Sequence, residues 1–346
     1  MRSFSVNIGA FLFPFSVAVI ALLTTGTVRA DEPAKFLGSI WQNSADDPLF
    51  GTLFDQITPE NCGKWDAIER ERRERVWTNM DAMVQFADRH SMIVKHHCLV
   101  WGQQQPAWTQ EADDISNAVD ALIADFFERY GKTITLVDVI NEPISAPPAY
   151  RSQLGGDGKS GWDWVIWTFR RARLHGNTHG FTGKLILNEW GIERNQRKLK
   201  QFREIVSILQ QESLIDAIGV QGHYLEIADA AKVRQSLDYL AETGLPIYIS
   251  EFELDIADDI RHEQQFMALF SMFWEHPAVR GVTLWGHREG QMWRKNGYLI
   301  RKDGSERPAM TWLRHYMASY RKTHAANKAP EDTTRVLADP QADVAP

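Results

Sequence analysis

Two hydrophobic periodicities alternate along most of the chain. Short runs of β-branched and apolar residues predict strands, and longer segments with apolar residues three and four apart, such as Met80, Met83 and Ala87, predict helices. Eight strands with helices between them predict a parallel sheet, and the length favours closure into a single (β/α)8 TIM barrel of the α/β class. The predicted strands are Phe36–Trp41, Gln56–Glu60, Met92–Trp101, Thr135–Asn141, Lys184–Glu189, Ala217–His223, Pro246–Glu251 and Gly281–Trp285.

Amphipathic segments of helical period connect these strands, and only the first connection, around Asp46–Phe54, lacks one. An open, doubly wound sheet is the alternative arrangement for such alternating elements. It is disfavoured because no Gly-x-Gly-x-x-Gly turn follows any of the strands. The predicted helices are Arg70–Arg89, Asp114–Tyr130, Trp162–His175, Asn195–Gln211, Asp229–Glu242, Asp258–Glu275 and Pro308–Lys322.

Both ends of the chain differ from the alternating part. An apolar run over residues 8–23 leads to the small-x-small sequence Val28–Ala30, which predicts a secretory signal peptide (residues 1–30) cleaved after Ala30. A membrane anchor is disfavoured because the run is short and Pro14 interrupts it. Residues 326–346 are rich in Ala, Pro and Asp and predict a disordered tail. We therefore expect an exported protein, secreted or periplasmic, whose barrel domain spans residues 31–325.

Composition narrows the classes of function. With 44% hydrophobic and 24% charged residues, the 346-residue chain is neither disordered nor collagen-like. A formal net charge of -7 argues against a nucleic-acid binder. The two cysteines, Cys62 and Cys98, are too few for a four-thiolate metal site, and whether they form a disulfide is open. Thirteen tryptophans indicate a large core, a cleft that binds rings, or both.

Polar residues stand where the predicted strands end. The carboxyl ends of the strands in such a barrel meet at one face, where its chemistry belongs. Glu142 follows the fourth strand, His223 ends the sixth and Glu251 ends the seventh. A single carboxylate there could cap a helix or join a buried ion pair. Five strands that end in Glu, Gln or His on one face, with Trp on both sides, instead indicate a cleft for a sugar.

Glu142 and Glu251 are expected to face each other across the mouth of the barrel. Hydrolysis of a glycosidic bond needs two carboxyl groups flanking it, one as acid/base and the other as nucleophile or base. A separation of about 5 to 5.5 Å would indicate retention of configuration. A non-catalytic sugar-binding barrel is the alternative from another class of function, although binding alone does not need such a pair.

Seven sequence blocks, in order along the expected mature chain, resemble the family 10 glycoside hydrolases, which are mostly endo-β-1,4-xylanases. The resemblance implies a retaining endo-β-1,4-xylanase that acts on xylan and xylo-oligosaccharides without a cofactor or a catalytic metal. A member of the same family that cleaves β-1,4-glucan is the alternative. We expect a monomer that binds neither nucleic acid nor, after signal cleavage, a membrane. The blocks are Thr58–Trp65, His97–Pro106, Asp138–Pro143, Gly219–His223, Ile249–Glu253, Thr283–Gly286 and Gln291–Arg294.

The resemblance also implies roles for the residues around the scissile bond. Glu142 matches the acid/base, and we expect its pKa to be raised mainly by the charge of Glu251. Glu251 matches the nucleophile, which must be ionised. His223 matches the residue that holds this nucleophile. Glu253 stands where most members carry Asp as the partner of that histidine.

The remaining matches are contacts to the donor sugars. Asn141 resembles the residue that bonds the sugar 2-hydroxyl, and Trp285 and Trp293 resemble the aromatic wall under the donor sugars. Bulky indoles near ring carbon five would admit xylose and exclude glucose by steric clash. The residues matched around the sugar at the cleavage point are Lys64, His97, Trp101 and Gln221, and those around the next sugar outward are Glu60, Asn61 and Gln104.

Overall fold

Parallel strands close into a barrel in the part of the chain that the structure, a computed structural model, describes, namely residues 35–42 and 47–326. The strands pair in the order of the sequence, and the first pairs with the last. The predicted single (β/α)8 TIM barrel is therefore confirmed. The expected signal peptide and residues 327–346 of the expected tail lie outside the described residues. The strands are Phe36–Trp41 (β1), Gln56–Pro59 (β2), Ile93–Val100 (β3), Leu136–Asn141 (β4), Lys184–Glu189 (β5), Ala217–Val220 (β6), Ile247–Phe252 (β7) and Val279–Leu284 (β8).

A helix follows each strand from the second onward, and the helices bury their apolar faces against the barrel. Several of these helices begin at a side-chain cap: Asn195, Asp229 and Asp258 each accept a hydrogen bond from a main-chain N–H of the first turn. Such caps satisfy donors that a helix start leaves without a partner. The helices are Trp65–Ile68 (α1), Thr78–Arg89 (α2), Ile115–Tyr130 (α3), Asp163–Thr178 (α4), Gln196–Gln211 (α5), Ala230–Ala241 (α6), Asp259–Glu275 (α7) and Pro308–Ala326 (α8).

The predicted helix over Arg70–Arg89 is wrong in its first half. The segment between α1 and α2 is a loop, because the buried carboxylate of Glu69 organises it as a turn. Glu69 accepts hydrogen bonds from the main-chain N–H of Arg73 at 2.7 Å, from Nε of Arg75 at 2.7 Å and from Nε1 of Trp65 at 3.2 Å. These contacts replace the i to i+4 hydrogen bonds that a helix would make in the segment between α1 and α2.

The two ends of the barrel interior differ in chemistry. A small group of buried residues from five strands packs together, and within it Phe36 stacks on Tyr248 with ring centroids 5.6 Å apart. These residues lie toward the amino-terminal ends of their strands, so apolar side chains fill that end. The polar residues that were predicted as a site lie at the opposite, carboxyl-terminal end. The group consists of Phe36, Leu136, Ile186, Ala217 and Tyr248.

The structure answers the question about the two cysteines and bears on membrane crossing. Cys62 and Cys98 are both free thiols, which settles the question of a disulfide between them in this structure. Within residues 35–42 and 47–326, no helix is both long enough and apolar enough to cross a bilayer.

Candidate active site

A cavity of about 370 Å³ opens at the carboxyl ends of the strands. It collects every predicted site residue except Glu253, which lies buried behind it. Gln103, Trp190 and Tyr224 also line the cavity and were not predicted as site residues. The predicted residues that line it are Glu60, Asn61, Lys64, His97, Trp101, Gln104, Asn141, Glu142, Gln221, His223, Glu251, Trp285 and Trp293.

Glu251, on β7, is a buried carboxylate with donors on both oxygens. Glu251 is only 4% exposed, and its Oε1 accepts a hydrogen bond from Nδ2 of Asn188 at 2.7 Å. Oε2 lies 3.3 Å from Nε2 of His223. Burial acts to raise the pKa of Glu251, but the positive potential of His97, His223 and Lys95 outweighs it and lowers the pKa to about 2. The carboxylate therefore stays ionised over the whole neutral and mildly acidic range.

His223 is held between two carboxylates. Its Nδ1 lies 2.6 Å from Oε2 of Glu253, and its Nε2 faces Glu251. Burial acts to lower the pKa of His223, but the two carboxylates outweigh it and raise the pKa to about 10. Arg294 lies 3.2 Å from the other oxygen of Glu253. The longer Glu253 side chain thus reaches the imidazole and keeps it in the charged form.

Glu142 follows the last residue of β4, with a positive φ of 55° that non-glycine residues rarely adopt. Its main-chain N–H donates to the carbonyl of Asn188 at 2.8 Å, and Oε1 accepts from Nε2 of Gln221 at 3.1 Å. Burial raises its pKa to about 6, and the charge of Glu251 adds to the effect. The expectation that Glu251 is the main cause is wrong, because loss of solvent around the buried carboxyl raises the pKa more than the charge of Glu251 does.

Asn188, at the end of β5, joins the two carboxyl-bearing strands and was not predicted as a site residue. Its Nδ2 donates to Oδ1 of Asn141 at 2.9 Å as well as to Glu251, and its Oδ1 accepts from Oγ of Ser250 at 2.6 Å. Oδ1 of Asn141 accepts a second bond from Gln221 at 3.0 Å. The amide oxygen of Asn141 is thereby fixed, which leaves its NH₂ group as the donor for a ligand.

Glu189, the last residue of β5, is fully buried and anchors the loop that carries Glu142. It accepts hydrogen bonds from the main-chain N–H of Ile144 at 2.9 Å and of Ser145 at 3.3 Å. Nζ of Lys198 lies 3.0 Å from its Oε1. A buried carboxylate with several donors is a strong local tether. Glu189 therefore fixes the position of the segment directly after the Glu142 turn.

One side of the cavity is a polar cluster from the segments after β2 and β3. Nζ of Lys64 is buried and donates to Oε1 of Gln104 at 2.6 Å and to Oδ1 of Asn61 at 3.3 Å. It also lies 5.0 Å from the ring centroid of Trp101. Glu60 accepts a hydrogen bond from Gln42 at 2.8 Å. These groups present donors and acceptors in fixed positions, as recognition of sugar hydroxyls requires.

Aromatic rings form another wall. Trp285 is 5% exposed and its ring centroid lies 5.1 Å from that of His97, whereas Trp293 is 50% exposed and lies 5.2 Å from His223. Tyr224 contacts Trp293 at 6.1 Å and Trp190 at 5.6 Å between ring centroids. Flat apolar faces beside fixed polar groups suit the alternating apolar and hydroxyl surfaces of a sugar ring.

The arrangement can carry out acid and nucleophilic chemistry with its own side chains. The cavity holds two carboxyl groups whose pKa values are displaced in opposite directions, so that near pH 5 Glu142 is mostly protonated while Glu251 is ionised. Within the described residues, no group of three or more His, Cys, Asp or Glu side chains is placed to hold a metal ion.

Known proteins resemble this chain in sequence. Endo-1,4-beta-xylanase B of Cellvibrio japonicus is 34% identical over 285 residues, which cover 81% of this chain and 45% of that protein. Endo-1,4-beta-xylanase C of Paenibacillus barcinonensis is 27% identical, with 81% and 30% covered. The chain thus spans less than half the length of these curated relatives.

Solved structures share the fold. A family 10 structure from Paenibacillus barcinonensis has a TM-score of 0.74 at 24% identity and covers 82% of this chain and 95% of its own. Xylanase 10B of Thermotoga petrophila, solved with xylobiose, has a TM-score of 0.72 at 22% identity, with 83% and 94% covered. The sequence profile of glycosyl hydrolase family 10 matches residues 28–316. The chain belongs to glycosyl hydrolase family 10.

Proposed function

We propose that the protein is a retaining endo-β-1,4-xylanase, with Glu142 as acid/base and Glu251 as nucleophile. One observation carries this proposal: two carboxyl groups share a cavity and have pKa values of about 6 and about 2. A general acid must hold its proton at the pH at which the nucleophile has lost its own.

In the first step, the Glu251 carboxylate attacks the anomeric carbon while Glu142 gives its proton to the departing sugar oxygen. The bond between carbon and oxygen breaks as a covalent ester to Glu251 forms. In the second step, Glu142, now ionised, takes a proton from a water molecule that attacks the same carbon, and Glu251 leaves as a carboxylate. Both residues return to their starting protonation states.

The surrounding groups support these steps. Asn188 donates to Oε1 of Glu251, and the charged His223 faces Oε2, so the nucleophile is oriented as well as ionised. Asn141 has its amide oxygen occupied, so its NH₂ group would donate to the sugar 2-hydroxyl, a bond that tightens in the transition state. Glu253 acts through His223, by keeping the imidazole charged.

The choice of xylan as substrate has two supports. The relatives named above are endo-1,4-β-xylanases, and Trp285 and Trp293 line the cavity, where their rings would exclude a hydroxymethyl group by steric clash. Lys64, Gln104 and Asn61 would bind the donor sugars beyond the cleavage point. We also propose that the protein acts as an exported monomer after removal of residues 1–30.

Release of reducing ends from xylan, cellulose and mixed-linkage glucan by the purified protein tests the proposal. We expect rapid release from xylan and little from the two glucans. Preference for a glucan would favour the β-1,4-glucanase alternative. Binding of xylo-oligosaccharides without any release, in wild type as in Glu251→Ala, would favour a non-catalytic sugar-binding barrel.

A further inference from the structure

The loop after β8 (residues 287–300, the β8 loop) carries Trp293, which lines the active-site cavity. Hydrogen bonds from the main-chain N–H groups of Leu299 and Ile300 to the carbonyl of His287, at 2.9 and 2.8 Å, close the base of this loop. Trp293 is 50% exposed, so packing fixes its ring only in part. The position of the ring therefore depends on what holds the β8 loop.

The side of the β8 loop that faces β7 is held by Arg294 and Asn296. Nη1 of Arg294 lies 2.6 Å from Glu226 and 3.2 Å from Glu253. The main-chain N–H and Nδ2 of Asn296 donate to Oδ1 of Asp255 at 2.9 and 2.8 Å. These contacts do not reach the opposite side of the loop, which faces β1.

Asp47 holds that opposite side. The connection from β1 to β2 contains no helix among its described residues, and it places the Asp47 carboxylate, 7% exposed, against the base of the β8 loop. Asp47 accepts hydrogen bonds from Nε and Nη2 of Arg288 at 2.6 and 2.8 Å, and lies 2.7 Å from Nε2 of His287. Burial acts to raise the pKa of Asp47, but the bonds from Arg288 and His287 outweigh it and lower the pKa well below its usual range. Two adjacent residues of the loop are thus bonded to one ionised carboxylate.

His287 is itself fixed on every side. It is 5% exposed, its ring centroid lies 5.0 Å from that of Phe54, and its Nδ1 lies 2.9 Å from Oγ of Ser39. An ionised carboxylate only accepts, so Nε2 carries the proton that binds Asp47, and burial lowers the pKa of His287, which favours a neutral ring whose Nδ1 accepts from Ser39. Ser39 is fully buried, so no substrate reaches its hydroxyl. The Ser39–His287–Asp47 chain is therefore a support for the loop and not a second nucleophilic site.

A second contact joins the same two parts of the chain closer to Trp293. Gln42, directly after β1, donates from Nε2 to the carbonyl of Gln291 and, at 2.8 Å, to Oε2 of Glu60. Glu60 lines the active-site cavity and is one of the residues expected to contact the donor sugars. The segment after β1 therefore supports the β8 loop on the donor side of the cleft.

We propose that Asp47 is a positioning residue for substrate binding, which acts through His287 and Arg288 to hold the β8 loop so that the Trp293 ring meets the donor sugars. The proposal rests on the proposed function, in which Trp293 forms part of the wall under those sugars. A binding residue on a loop needs a rigid support to keep its geometry. Without the Asp47 charge, the loop keeps its anchors on the β7 side only, and the exposed ring is free to turn away.

Steady-state kinetics on xylohexaose test the proposal with Asp47→Asn and Arg288→Gln. We expect each variant to raise KM by roughly three- to tenfold, the worth of one aromatic contact, at an unchanged kcat. A contact that is equally strong in the ground state and the transition state changes KM alone. Arg288 is partly exposed, so Arg288→Gln provides the test if Asp47→Asn does not fold. Asp55→Asn is the matched control, because Asp55 lies at the other end of the same connection, pairs with Arg321 of α8 at 2.8 Å, and should leave KM unchanged.

A variant of Trp293 separates positioning from a general effect on the fold. Trp293→Ala should raise KM, and adding Asp47→Asn to it should raise KM no further, because the ring that Asp47 positions is gone. If Asp47 supports only the fold, the two rises in KM multiply. The melting temperature of each variant, measured beside the kinetics, reports the structural part of the effect.

The outcomes are distinct. A wild type that hydrolyses xylohexaose, with a KM equal to that of Asp47→Asn and Arg288→Gln, overturns the positioning role and leaves the proposed function standing. Rises in KM that multiply in the double variant also overturn the positioning role, as does a loss confined to kcat. A wild type that does not hydrolyse xylohexaose overturns the proposed function, and the positioning role with it.

Discussion

His223 lies 3.3 Å from Glu251, nitrogen to oxygen, and the two groups are charged over a common range from about pH 2 to about pH 10. Each group maintains the charge of the other, because each is buried and would otherwise favour its neutral form. The nucleophile of the proposed reaction is thus ready before substrate binds. The pH below which kcat/KM falls on the acid side therefore reports on the contact between His223 and Glu251.

His223→Gln should move the acid limb of kcat/KM to higher pH by at least about one unit, because Glu251 loses a cation that lowers its pKa. The kcat/KM of wild type should fall below about pH 2, where Glu251 gains a proton, and above about pH 6, where Glu142 loses its proton. The limb near pH 6 should not move in the variant, since Glu251 is ionised there in both proteins.

A control separates this effect from the loss of a histidine–carboxylate contact elsewhere in the protein. His175 pairs with Asp120 at 2.7 Å on the outer helices, so His175→Gln should leave both limbs in place. An acid limb that is unchanged in His223→Gln would show that His223 does not set the protonation of the nucleophile.

His223 also makes a prediction about stability. Its pKa in the folded protein, about 10, lies above the ordinary value of 6.5, so its contribution to the free energy of unfolding is complete below about pH 6.5. That contribution is lost as the pH rises toward 10. Between pH 6.5 and pH 10, the melting temperature of wild type should therefore fall by more than that of His223→Gln. Parallel curves for the two proteins would contradict the raised pKa.

Glu142→Ala should abolish most xylan hydrolysis but spare the first step on an aryl xylobioside with a good leaving group. A sugar alkoxide needs a proton to depart, whereas an activated phenolate does not. Deglycosylation stays slow because the base is missing, so rapid kinetics should show a burst of phenolate, and azide should restore turnover. Equal losses on both substrates, with no burst and an unchanged melting temperature, would remove Glu142 from the acid/base role.

Glu189→Gln should lower kcat more than it raises KM, because it loosens the loop after Glu142 and leaves the Lys64 cluster intact. The lost charge-assisted bonds should also cost about 1.5–3 kcal/mol of the free energy of unfolding. Glu212→Gln is the control, since Glu212 pairs with Arg170 on the outside of the barrel. A stability loss with kcat unchanged would limit Glu189 to a structural role.

The fold and most of the site could be predicted from local sequence patterns, for two reasons. Strand and helix periods alternate plainly, and parallel strands of a closed barrel bring all their carboxyl ends to one face. Glu142, Glu251 and His223 therefore come together although they are far apart in sequence.

What the sequence did not predict depends on contacts between distant segments. Asn188 acts by reaching Asn141 and Glu251 on other strands, which no local pattern reveals, although its position at a strand end was visible. Glu69 breaks the predicted helix through bonds to its own loop. The main cause of the raised Glu142 pKa is burial, which only the assembled cleft determines.

The central claim is that Glu251 becomes covalently bonded to the sugar. An activated aryl 2-deoxy-2-fluoro-β-xylobioside tests it, because fluorine slows both steps while the good leaving group lets the covalent intermediate accumulate. Mass spectrometry of the peptides should locate one xylobiosyl group on the peptide that contains Glu251. A label on a different residue, or turnover of the compound with no label at all, would contradict the account.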